Sequence, residues 1–251
     1  MKTAYGWIRA MLLVAGLVLS AVATAHDVPE EDVSKQGWAG SVNLGASLST
    51  GTSDLYALNG GAALKRSWTD DSLGFTLKGL YGQSDGDVTA NNQSLAGLYR
   101  HDFTGRWYAY LNSEVGRDTI QFIDWRYLMN GGPGYRVWDG GDKRHLDLEA
   151  GIGYRHTVFR NDPTTDDADI RAALIYGDWF GKVLETLLSL EYLLPANRTY
   201  DYLIRARAVI SVPMTGTISF RTAFDLEYDN LPAEGASGLN TVTAIGLEYS
   251  F

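Results

Sequence analysis

The sequence predicts an all-β fold, a single antiparallel up-and-down transmembrane β-barrel of about 12 strands. Three observations predict it. Apolar and polar residues alternate with a period of two along most of the chain. Aromatic residues of the apolar set gather toward the strand ends, and tight turns tend to alternate with longer loops.

The first segment reads differently. Lys2 and Arg9 precede a largely apolar run, Met11 to Val22, and the small residues Ala23, Thr24 and Ala25. That order is a secretory signal peptide over residues 1–25, too short for a comfortable membrane helix. Residues 26–36 form an acidic N-terminal segment, and 37–251 the expected barrel. No later stretch approaches the ~20 apolar residues of a spanning helix. The chain has no Cys, so it offers no disulfides and no thiol chemistry. Removing Lys2 and Arg9 takes the formal charge from −9 to −11, which argues against nucleic acid as a partner.

Twelve alternating runs follow in order: 38–50, 55–68, 73–82, 93–103, 107–116, 122–138, 145–158, 169–180, 182–194, 200–213, 217–229 and 240–251. In the first, Trp38, Val42, Leu44, Ala46 and Leu48 oppose Ser41, Asn43, Gly45, Ser47 and Ser49. In the eleventh, Ile218, Phe220, Thr222, Phe224, Leu226 and Tyr228 oppose Ser219, Arg221, Ala223, Asp225, Glu227 and Asp229. "TDDS", "TGR", "FGK" and "PMTG" read as tight turns at one end. "QSDGDVTANN", "RNDPTTDDAD", "PANRT" and "DNLPAEGASG" read as longer loops at the other, while "GTSD" is short and "WDGGDK" moderately long. In strand 6, Gly131, Gly132, Pro133 and Gly134 predict a bulge or a close backbone approach.

The apolar face is expected to meet lipid. Charges avoid it except near strand ends, at Arg66, His101, His156 and Asp178. Trp38, Trp68, Phe103, Trp107, Phe180 and Phe220 form one aromatic belt at the turn end. Tyr56, Tyr81, Trp125, Tyr154, Tyr192, Tyr202 and Tyr228 form a second at the loop end. Tyr249 and the terminal Phe251 lie on the same face, and this end resembles the signal that outer-membrane assembly machinery reads. A soluble sandwich or lipocalin-like barrel is the alternative that alternation alone leaves open.

The opposite face is expected to line the lumen. It carries Lys65, Lys78, Arg100, Arg126, Arg136, Arg155, Arg171, Arg205, Arg207 and Arg221 against Glu114, Asp124, Asp147, Glu149, Glu185, Glu191, Asp225, Glu227 and Glu248. Buried charges must be paired or hydrated, so this face reads either as an internal salt-bridge network or as a charge-lined pore. If strands 10 and 11 pair through the turn at 213–216, Arg207 and Arg221 are expected to approach, with Glu248 as a recruited acid. Strands 1 and 2 contribute small inward groups. Strands 8 to 10 contribute Ile175, Trp179, Leu187, Leu193, Leu203 and Val209, an apolar patch suited to an infolded loop, the 26–36 segment or a lipid-like ligand.

The stretch 117–156 carries Asp124, Arg126, Gly131, Gly132, the run Gly134-Tyr135-Arg136 and "LDLEAGIGY". In this it resembles the bacterial family of salt-induced outer-membrane proteins, a domain of unknown function. The resemblance implies an outer-membrane barrel and a link to salt or osmotic stress; it carries no catalytic motif. The expected function is a small passive pore or an envelope-stabilising barrel of the bacterial outer membrane. Its expected partners are outer-membrane lipid and lipopolysaccharide, the assembly machinery, and small ions or solutes.

A surface lipid-modifying enzyme, lipase-like or lipid A deacylase-like, is one alternative; a non-conducting structural barrel is another. His156 lies on the apolar face near the loop end but is followed by Thr157, and no partner serine is evident; His101 and His145 sit near the turn end. The sequence therefore reads as a non-enzyme, without catalytic residues, cofactor or metal. Asp162, Asp166, Asp167 and Asp169 form an acidic stretch read as a solvated loop, with divalent-cation binding as the alternative.

Overall fold

A computed structural model describes residues 37–49, 55–141, 144–181 and 183–251. The expected signal peptide, the acidic segment 26–36 and the connection 50–54 lie outside the described residues. Twelve strands run in chain order: β1 (Gly37–Ser49), β2 (Leu55–Ser67), β3 (Asp71–Ser84), β4 (Asp87–Asp102), β5 (Trp107–Asp118), β6 (Ile123–Gly141), β7 (Arg144–Phe159), β8 (Thr165–Phe180), β9 (Leu184–Pro195), β10 (Leu203–Pro213), β11 (Ile218–Asp229) and β12 (Leu239–Ser250). Each pairs antiparallel with its chain neighbours, and β1 pairs with β12, so the sheet closes into a barrel. Closure removes the unpaired edges of an open sheet.

The alternation seen in the sequence becomes an inside and an outside. The outward set is exposed along whole strands, as at Leu44, Leu58, Phe75, Leu77, Leu95, Ile152, Leu190 and Ile245. Such a continuous apolar wall has no core to cover it; it is the surface of a membrane-spanning barrel. No helix among the described residues is long and apolar enough to cross a membrane. Both aromatic belts sit on this wall: Trp38, Trp68, Phe103, Trp107, Phe180 and Phe220 are exposed at one end, and Tyr56, Tyr81, Trp125, Tyr154 and Tyr192 at the other. The Tyr202 ring lies tilted between those of Tyr192 and Tyr228, at centroid distances of 5.7 and 6.0 Å.

The outward charges expected near strand ends, Arg66, His101, His156 and Asp178, each have a local partner. Arg66 lies over the rings of Trp38 and Trp68, at 5.4 and 5.7 Å. The tripeptide Tyr-Arg-His occurs twice and builds the same cluster at both interfaces. His101 Nδ1 meets Asp71 at 2.9 Å, and the Tyr99 hydroxyl donates to the same carboxylate at 2.5 Å. At the loop end, His156 Nδ1 meets Asp166 at 2.7 Å and Tyr154 donates to it. Asp178 accepts from Arg144 at 2.9 Å and from Tyr176 at 2.7 Å.

Three loop expectations fail. "QSDGDVTANN" is not a long loop: Asp85 and Gly86 both take positive φ, 52° and 93°, and make a two-residue hairpin that extends β3 and β4. That backbone is a type I′ turn, which an Asp-Gly pair favours because it matches strand twist. "TDDAD", from Thr165, joins β8, because its alternate residues find partners in the lumen. "WDGGDK" is also absorbed into strands, leaving only 142–143 between β6 and β7. The loop-end connections that stay long are 196–202 and 230–238. The latter reaches across the mouth, where the Glu234 backbone N–H donates to Asp162 at 2.8 Å.

Phe251 takes part in closing the barrel. It exchanges two backbone hydrogen bonds with Gly40, both 2.9 Å, and its ring lies over that glycine: a Cβ at residue 40 would meet ring carbons at 2.6 Å. Tyr249 stacks on it at 6.0 Å.

Ile152 sits midway along β7 and is 76% exposed on the outer wall. Ile152→Arg should destabilise the barrel by ~2–4 kcal/mol in lipid-vesicle refolding titrations, the cost of a cation near the bilayer midplane. A neutral result would show that this wall does not face lipid.

Candidate functional site: the divided lumen

The lumen is filled on one side and hollow on the other. On the filled side, charges of non-adjacent strands meet across the interior. Arg126 on β6 reaches Glu227 on β11 at 3.1 Å and Asp229 at 4.0 Å. Glu227 also meets Arg205 on β10 at 3.4 Å, and Arg205 reaches Glu114 on β5 at 3.2 Å and Glu191 on β9 at 3.5 Å. Arg171 on β8 pairs with Glu191 and with Glu149 on β7, the second at 2.7 Å. All eight of these side chains are buried, Glu227 to 1% exposure. Arginines and carboxylates alternate along the path, so each charge is desolvated against opposite ones.

Two tyrosines complete this side. Tyr108 and Tyr110 point inward and are almost fully buried. The Tyr108 hydroxyl donates to Glu149 at 2.9 Å; the Arg100 guanidinium lies 3.6 Å over the Tyr108 ring and Arg171 4.8 Å over Tyr110. Gly134 of β6 and Gly151 of β7 make room for them. A Cβ on Gly134 would come 2.2 Å from Tyr108 ring carbons, and one on Gly151 would come 2.4 Å from the Tyr110 hydroxyl. The close-approach reading of that glycine cluster therefore has a specific occupant. Below Tyr108, Arg100 and Arg136 share Asp147, at 3.2 and 2.9 Å.

Two residues of the expected apolar patch are covered from the opposite wall. Leu193 of β9 and Leu203 of β10 pack with Leu128 of β6, all three buried. Toward the loop end, Arg155 holds Asp169 at 3.2 Å and Asp167 at 3.6 Å, and Arg198 reaches Asp167 at 2.5 Å and Asp201 at 3.2 Å. Burial pushes the Asp201 carboxyl above its ordinary range, while Arg155 and Arg198 pull it back. The acidic stretch is thus split up. Asp162 caps a neighbouring loop, Asp166 joins the outer wall, and Asp167 and Asp169 turn inward. Among the described residues no group of three or more His, Cys, Asp or Glu is placed to hold a metal ion.

The hollow side lies behind β1–β3 and β10–β12. A cavity is lined there by Ser41, Asn43, Asn59, Ala63, Thr76, Lys78, Arg207, Arg221, Asp225, Val242, Ala244 and Glu248, among others. It exists because the inward residues of β1 and β2 are small. Arg207 pairs with Asp225 at 2.8 Å and Arg221 with Glu248 at 3.5 Å. Arg207 and Arg221 do not meet across the strands as expected. The hairpin register sets Arg207 opposite Asp225 and Arg221 opposite Ser211, four positions further along. Glu248 is recruited to Arg221 as expected.

Lys65 is half-buried on the inward side near the turn end. Asp124 departs from the lumen assignment. A register shift between Ile123 and Trp125 turns it to the rim, where it pairs with exposed Arg160 at 2.9 Å. Thr157, the hydroxyl next to His156, points into the lumen with 2% exposure.

A family model described as a protein of unknown function matches residues 42–251. The chain belongs to the DUF481 family. No curated protein matches this DUF481 chain. Among solved structures, it is similar to the translocator domain of the autotransporter NalP from Neisseria meningitidis, with 12% identity over 100% of this chain and 97% of that one and a TM-score of 0.52. It also resembles the NanC porin, with 13% identity, 84% and 98% coverage and a TM-score of 0.48. The KdgM porin gives 12%, 86%, 99% and 0.45. At these identities the likeness is one of fold.

Glu227 contacts both Arg126 and Arg205 with 1% exposure, so Glu227→Gln should remove the nearer of two acids from Arg126 and one of three from Arg205, and cost up to about 3–5 kcal/mol in urea unfolding of the refolded barrel. Asp124→Asn at the exposed rim should leave the midpoint nearly unmoved. Equal effects would mean that the interior network is hydrated.

Proposed function

We propose that this DUF481 protein is a small passive pore of a Gram-negative outer membrane, conducting through the hollow side of the lumen with weak anion preference. One observation carries the reading: a polar cavity stands beside a densely paired half and is lined by three cations, Lys78, Arg207 and Arg221, against two carboxylates, Asp225 and Glu248. A narrow polar passage with a small excess of positive charge in a low-dielectric wall attracts anions. The lipid-facing barrel and the aromatic belts support the outer-membrane setting, with lipid and lipopolysaccharide as its surroundings. Tyr249 and Phe251 are proposed as the assembly signal, and the family resemblance supports a role under salt or osmotic stress.

The test is single-channel recording of refolded protein in planar bilayers. Small steps are expected, with a reversal potential shifted toward the anion. Arg207→Ala and Arg221→Ala should each move that potential toward cations, since each leaves a carboxylate on the passage wall. Absence of steps above background, or unmoved reversal potentials in both variants, would contradict the pore and favour a closed structural barrel.

A further inference from the structure

The β1–β12 seam is the weakest join in the wall. Its ladder holds four residue pairs, Ser41↔Ser250 to Leu44↔Leu247, extended at the turn end by the Gly40–Phe251 bonds. Every other strand pair holds nine to fourteen. The ladder stops where two glycines meet: a Cβ on Gly246 would come 2.9 Å from the Gly45 Cα. From there toward the loop end, β1 has β2 and β12 has β11, but no register pairs join them to each other.

The hollow cavity lies directly behind this seam. Ser41, Asn43, Gly246 and Glu248 belong to its lining. Thr76 projects its hydroxyl into it with 3% exposure and no hydrogen-bond partner. On the lipid side of the same seam stand Leu44, Ile245 and Leu247, all more than half exposed. An amide- and cation-lined chamber is thus separated from an apolar surface by the one stretch of wall that lacks a full ladder. Unpaired backbone at membrane depth is tolerated only where it is buried or lines a polar cavity.

We infer that the cavity binds the head group of an anionic amphiphile, a phosphate or carboxylate carrying an acyl chain, which enters sideways through the loop-end part of the β1–β12 seam. Lys78, Arg207, Arg221 and the Asn43 and Asn59 amides receive the charge, and the chain lies against Leu44 and Ile245. This goes beyond conduction and rests only on the outer wall facing lipid.

The test uses full-length barrel refolded into vesicles of mixed phosphatidylglycerol and phosphatidylcholine. A photoreactive benzoylphenylalanine replaces inward Asn59, with outward Leu58 as the lipid-exposed control; Thr76 is the second lumen position if the Asn59 variant does not fold. Folding is checked by heat-modifiable gel mobility. Cross-linked lipid is expected at the lumen position, enriched about tenfold for phosphatidylglycerol. Joining Ala46→Cys to Ile245→Cys, by a disulfide or a short bis-maleimide, should abolish that adduct and leave the Leu58 adduct intact. The same closed seam should leave conductance unchanged, which separates this inference from the pore. It is overturned if the lumen position gives no lipid adduct while Leu58 does, if both lipids label equally, or if closing the seam changes nothing.

Discussion

A charge taken into a barrel cannot be left alone. Desolvating a carboxylate or guanidinium costs several kcal/mol, and only opposite charges and hydrogen bonds at close range offset it. The interior of this barrel follows from that constraint. Glu227 is the point where it is tightest, buried between Arg126 and Arg205 and drawing β6, β10 and β11 toward one another. From there the path continues through Glu191 and Arg171 to Glu149 and Tyr108, so that one half of the lumen is held shut by pairs that no single strand supplies.

The division of the lumen is the consequence. Arginines long enough to span the interior come from β6 to β10, and the glycines of β6 and β7 leave floor space for Tyr108 and Tyr110. Opposite them β1 and β2 offer serine, asparagine, glycine and alanine, which are too short to cross the lumen. Arg207 and Arg221 fall on the boundary and pair with acids of their own neighbourhood instead of crossing the lumen. The short β1–β12 ladder lies on this thin side, where there is little interior packing to stiffen the wall. Packing, charge and closure thus share one axis of asymmetry.

The wall was legible in the sequence and the interior only in part. Period-two alternation assigns faces because a β-strand has that period, and twelve strands with lipid-facing belts followed. Strand ends were less legible. Asp85-Gly86 is the two residues of a hairpin, yet the polar run around it reads as loop, because a barrel strand extending beyond the bilayer need not be apolar. Asp167 and Asp169 read as loop for the same reason, although Arg155 holds them inside. Tyr108 and Tyr110 were recoverable: with Trp107 outward, parity turns both inward. The Arg207 and Arg221 separation was also recoverable from the centre of the hairpin turn. The cross-lumen partners were not, since nothing in one strand specifies which distant strand its side chain meets. The bulge that turns Asp124 to the rim interrupts the parity on which its assignment depended.

The divided lumen is tested most directly by thiol accessibility, because the chain has no cysteine of its own. Ala244→Cys lines the hollow side and Leu193→Cys lies in the filled side with no exposure. With an anionic methanethiosulfonate added to folded barrel in vesicles, Ala244→Cys should be modified promptly, and Leu193→Cys only after unfolding. Comparable rates at the two positions would contradict the account, because water and solute would then reach both halves of the interior alike.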